Sequence, residues 1–126
     1  MQAWLLVFVG GGIGAALRHG VNLASLRLLG PGFPWGTLTV NVVGSLAMGV
    51  LAAWFAFRGA SGEPWRLFLA TGVLGGFTTF SAFSLDAALL IERHQLVTAG
   101  GYVAASVLGS VGALFVGLWL TRAAIA

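Results

Sequence analysis

Four stretches of this chain, residues 3–28, 36–57, 67–91 and 98–121, run almost without charge. Each is long enough to cross a bilayer as a helix, which takes about 20 predominantly apolar residues. Between them lie three short connectors, "GPGFPW" near 30–35, "RGASGEPWR" at 58–66 and "ERHQLV" at 92–97, which leave no length for a water-soluble domain. Only 7% of residues are charged, against about 25% in a soluble domain, so the chain cannot cover itself with a polar surface. The expected architecture is an all-α membrane protein, one four-helix transmembrane domain spanning residues 1–126, which acts within or across the bilayer. The amino-terminal "MQAWLLVFVGGG" lacks the basic start of a secretory signal and reads as the beginning of a retained helix.

The net charge of +3 comes from six arginines, since lysine is absent. They form no stripe along which a nucleic-acid backbone could track, so nucleic acid is set aside as a partner. With four spans, Arg58, Arg66 and Arg122 fall on one side of the membrane and Arg27 and Arg93 on the other. Orientation follows the side richer in Lys and Arg, and three against two gives almost no instruction. Dual topology follows, with copies inserted both ways up and opposite copies pairing as an antiparallel homodimer, a closed two-fold arrangement. A single, weakly chosen orientation is the other reading of the same charges. Trp4, Trp35, Trp54, Trp65 and Trp119 all fall near helix ends, where amphipathic rings anchor to the interface. Cysteine is absent, which removes thiolate metal sites, thiol catalysis and disulfides.

Inside the spans, small and polar residues are concentrated. "GGGIGAA" at 10–16 and the glycines from 44 to 49 and 109 to 117 suit close helix packing. The segment "TGVLGGFTTFSAFSLD" at 71–86 differs, because hydroxyl side chains crowd the turn after Gly75 and Gly76. Each glycine costs a helix roughly 1 kcal/mol relative to alanine, and Thr78 and Thr79 add β-branched stiffness. A break in the third helix near 75–79 is expected. Irregular backbone at membrane depth survives only when buried in protein or lining a cavity, and freed carbonyls at such breaks suit cations.

Tyr102, Ser106 and Ser110 recur every four residues, so they share one face of the fourth helix. Two readings are open. Each serine can bond back to the carbonyl four residues earlier, or the three can line a path. Thr37 and Asn41 share a face of the second helix in the same way, and the Asn41 amide must find partners in hydrocarbon. Phe77, Phe80 and Phe83 form a ridge that is either packing or a set of ring edges, which carry positive potential and attract an anion. Arg18 is either functional, attracting anions to an aqueous vestibule, or snorkels toward the interface. His19 and His94 lack partners at metal-ligand spacing, and no catalytic motif is present, so an enzyme is not expected.

"GGGIGAALRHG" at 10–20, "WGTLTVNVVGSLAMG" at 35–49 and "GVLGGFTTFSAFS" at 72–84 closely resemble the CrcB or Fluc family of fluoride channels. The resemblance covers nearly the whole chain, including "GYVAASVLGS" at 101–110. It implies an antiparallel dual-topology dimer with two fluoride pathways, in the plasma membrane, or the inner membrane of a Gram-negative cell. Phe80 and Phe83 would present ring edges to fluoride, Asn41 would supply a donor, and Tyr102, Ser106 and Ser110 would form a polar track. The carbonyls of Gly75 and Thr78 would hold a structural Na+ at the dimer centre, and Arg18 would be vestibular or structural. Phe77 stands where an aliphatic residue is expected and Ala82 where a hydroxyl residue is expected. The alternative reading is a small dual-topology multidrug exporter, which needs a carboxylate in the first helix. Residues 1–28 contain no acidic side chain.

Overall fold

The computed structural model describes residues 1–59 and 63–125, so the expected connector at 58–66 lies partly outside the described residues. Helix α1 runs over Gln2–Leu29 and α2 over Trp35–Arg58. The third span begins with α3, three consecutive segments Glu63–Arg66, Leu67–Leu74 and Gly75–Phe77, and continues after a break as α4, Phe80–Glu92. Helix α5 covers Leu96–Ile125. Among the described residues, four helical spans are long and apolar enough to cross a membrane, the third being Glu63–Glu92 with its break included.

Several helices extend beyond their expected ends. The third span starts at Glu63 rather than 67, because proline is tolerated in a first helical turn and an acidic side chain favours the free N–H groups there. The connector before α5 shrinks to residues 93–95, closed by a tight cap. Gln95 N–H reaches Leu90 C=O and His94 N–H reaches Ile91 C=O, both at 3.0 Å. This is the Schellman pattern, and His94 takes the left-handed position, φ 59°, that glycine usually occupies.

Two close helix pairs organise the bundle. Helices α2 and α5 run parallel, Val42 facing Gly109 and Gly49 facing the Leu114 carbonyl, so that missing side chains let the backbones meet. Helix α1 lies along α3 in the same manner. A Cβ on Gly10 would come within 2.6 Å of the Phe68 carbonyl and 3.0 Å of Gly72 Cα, and one on Gly14 would overlap the Val73 carbonyl. Where α1 presses on it, α3 is over-wide. Over Leu67–Leu74 it has π geometry, and the Gly75 N–H reaches back to Ala70 C=O. A small core of Leu90, Ala99 and Tyr102, joined by Phe33, Leu38 and Phe83, ties α4 to α5.

Candidate functional site

The break falls at Thr78 and Thr79, narrower than the expected 75–79. The glycines before it stay helical; Gly75 has φ −61° and ψ −39°. Thr78 (φ −86°, ψ 157°) and Thr79 (φ −154°, ψ 119°) are extended. Both hydroxyls work locally. Thr78 Oγ1 donates to Leu74 C=O at 3.0 Å, closing α3, and Thr79 Oγ1 accepts the Ala82 N–H at 3.1 Å, capping α4. The threonines, not the glycines, interrupt the helix. Gly76 has a different duty, since a Cβ there would overlap the Gly11 carbonyl of α1.

Asn41 reaches the break from α2. Its Oδ1 accepts the Thr79 N–H at 2.7 Å and its Nδ2 donates to Thr79 C=O at 3.0 Å. The Asn41 Oδ1 thus replaces the carbonyl that the Thr79 N–H lost by leaving α3, as burial at membrane depth requires, while Nδ2 adds a second donor to the Thr79 C=O, which as the α4 N-cap already serves that helix. In an unbroken helix the Gly75 and Thr78 carbonyls would accept from the N–H groups of Thr79 and Ala82. Those donors are bonded to Asn41 and Thr79 side chains instead. Next to them, the Gly76 carbonyl accepts from Arg18 Nε at 3.2 Å.

Beside the break lies a groove of about 350 Å³, walled by α2, α4 and α5. Asn41, Phe80, Phe83, Ser106 and Ser110 all line it, so it gathers five of the six residues expected on the pathway. No lining side chain is ionisable. The Phe80 and Phe83 rings lie 5.5 Å apart, and Phe80 is 77% exposed in the single chain. Phe77, the third aromatic of the ridge, falls before the break and faces Gly44 instead.

The Ser106 and Ser110 hydroxyls are buried without a hydrogen-bond partner. A hydroxyl in the third span does bond back, that of Ser84 to Phe80 C=O at 3.0 Å. Of the two readings open for the serines, back-bonding is therefore excluded by the geometry. Tyr102 is the exception among the expected residues. It is fully buried behind Phe83, ring centroids 5.3 Å apart, and its hydroxyl donates to Asp86 Oδ2 at 3.2 Å rather than entering the groove. Asp86 and Thr79 were not anticipated as site residues. Neither contact leaves a sequence signal, because Asp86 meets Tyr102 across 16 positions and Thr79 meets Asn41 across 38.

Comparison with known proteins gives the family. The family model described as CrcB-like protein, Camphor Resistance (CrcB), matches residues 5–118. The chain is 61% identical over 118 residues to a Mesorhizobium japonicum protein named fluoride-specific ion channel FluC, covering 94% of each chain. It is 59% identical over 124 residues to a protein of the same name from Hyphomonas neptunium, covering 97% of each. A Caulobacter vibrioides protein with that name is 52% identical over 123 residues. With a match that begins in α1 and ends in α5, this chain belongs to the CrcB-like family.

Proposed function

We propose that this chain is a fluoride-selective channel of the plasma membrane, passively releasing cytoplasmic fluoride through the groove between α2, α4 and α5. The carrying observation is the pair of buried, unpartnered hydroxyls at Ser106 and Ser110 in a groove without ionisable side chains. A small anion leaving water needs donors that replace its hydration, yet a fixed positive charge would trap it. Hydroxyl O–H groups and the positive edges of Phe80 and Phe83 meet both requirements. Asn41 contributes the second N–H of its amide, the first being spent on Thr79. Tyr102 acts from behind, holding Phe83 in place.

Passive flow suffices for detoxification. A potential of about 100 mV, negative inside, is worth roughly 2.3 kcal/mol per charge, a roughly fifty-fold depletion of a cytoplasmic anion. Hydrogen fluoride enters neutral and ionises inside, and the anion leaves down that gradient.

The working unit is an antiparallel homodimer with two pathways. Its support is the near balance of arginines across the membrane, together with the exposure of Phe80, Ser81 and Ser84 at membrane depth. A second copy would supply the missing wall. The Gly75 and Thr78 carbonyls, deprived of their helical donors, fit a hard monovalent cation, and two copies would contribute four oxygens to one Na+. Bound there, the ion supplies a fixed positive charge near the pathways and a cross-link between subunits. Arg18 is structural on this reading, holding the Gly76 carbonyl beside that site.

The test is ion efflux from liposomes containing the purified protein, followed with a fluoride electrode beside a chloride trace. Rapid fluoride release without chloride is expected, and its loss in Phe80→Ile and Phe83→Ile with an intact dimer. Absence of fluoride flux from a folded dimer would overturn the proposal.

A further inference from the structure

The donors facing the groove separate into those already engaged and those left free. Thr78 is bonded to Leu74, Thr79 to Ala82 and Ser81, and Asn41 to the Thr79 backbone. Besides Ser106 and Ser110, one more lining hydroxyl is left over, that of Ser45. Among the described residues it has no hydrogen-bond partner, and it does not bond back to Asn41 as a helical serine can.

Its position completes a pattern. Ser45 follows Asn41 by four residues, so the two share a face of α2 about 6 Å apart along the axis. Ser106 and Ser110 have the same spacing on α5. Because Val42 is level with Gly109 and Gly49 with Leu114, parallel α2 places Ser45 past Ser110, toward Leu114. The other side chains at that end are Met48, Val111 and Leu114, which offer an anion nothing. An anion stripped of water in an apolar segment meets a steep penalty.

We infer that Ser45 is a pathway residue, donating its hydroxyl to fluoride in the half of the groove beyond Ser110. The inference rests on the proposed reading of the groove as the anion path. Two rails of donors, Asn41 and Ser45 on α2 with Ser106 and Ser110 on α5, then pass the ion from one level to the next.

The chain contains no cysteine, so Ser45→Cys carries a single thiol. In fluoride efflux from liposomes, Ser45→Ala is expected to be about tenfold slower than the parent, as for one lost hydrogen bond. Ser45→Thr, which keeps the hydroxyl, should retain most of the rate. A small charged methanethiosulfonate should modify Ser45→Cys and stop its flux, an effect that a purely structural serine would not show. Parental flux in Ser45→Ala, or a conducting Ser45→Cys that the reagent leaves unaffected, would overturn the inference while leaving the channel itself standing. Failure of the parent protein to carry fluoride would overturn both.

Discussion

Replacing Asn41 with alanine separates holding the break from conducting through it. The substitution removes two hydrogen bonds, at 2.7 and 3.0 Å, and strands the N–H of Thr79 in a half-buried site, its C=O still serving α4 as the N-cap. Side-chain bonds within membranes are worth about 0.6–1.7 kcal/mol each, and an orphaned buried polar group costs about 1–3 kcal/mol. Partial rescue by water entering the groove keeps the total at about 2–4 kcal/mol, a shift in the folded-to-unfolded ratio of roughly thirtyfold or more. Ser106→Ala should behave oppositely. It deletes a hydroxyl without a partner, so stability should stay within about 0.5 kcal/mol or rise slightly, while fluoride flux falls. Reversible unfolding of both variants in mixed detergent, scored beside liposome flux, measures the difference. Asn41→Ala as stable as the parent would refute the assignment of this amide as the brace of the break.

The adjacent glycines should diverge as well. Gly76→Ala forces a Cβ onto the Gly11 carbonyl and should destabilise the fold by about 1–3 kcal/mol, whereas at Gly75 the nearest atom, Ala70 O, lies 3.8 Å away. Gly75→Ala should therefore leave a single chain as stable or more so; weakened dimer assembly or altered sodium dependence in that variant, read by size-exclusion chromatography across cation species, would place its constraint in the partner or the ion. His94→Gly relieves a left-handed residue in the α4 cap and should raise the unfolding free energy by about 1 kcal/mol. Unchanged or lowered stability would show that the histidine side chain compensates for its backbone.

Hydropathy made the four spans legible, because a membrane leaves the backbone few options besides the helix. The break was legible too, and of the two causes named for it, the glycine pair and the threonines, the structure keeps the threonines. Glycine weakens a helix without dictating what replaces it, whereas a threonine hydroxyl can close one helix and open the next, as Thr78 and Thr79 do. The π stretch over Leu67–Leu74 escaped notice because it coincides with a tertiary contact, the close approach of α1 through Gly10 and Gly14, that local sequence does not display. Spacing placed Ser106 and Ser110 on one face but could not tell a back-bonded hydroxyl from a free one, since both occupy the same position on the helix. Tyr102 belonged to the same stripe, yet Asp86 draws its hydroxyl aside.

A groove lined by amides, hydroxyls and rings, with no ionisable side chain, has nothing that can tell inward from outward. On the proposed function, direction comes entirely from the cell. While the membrane is energised, the protein drains fluoride; in a de-energised cell bathed in fluoride the same opening becomes an entry route. Protection by such a chain is therefore on loan from respiration, and starvation should turn its possession from a benefit into a liability.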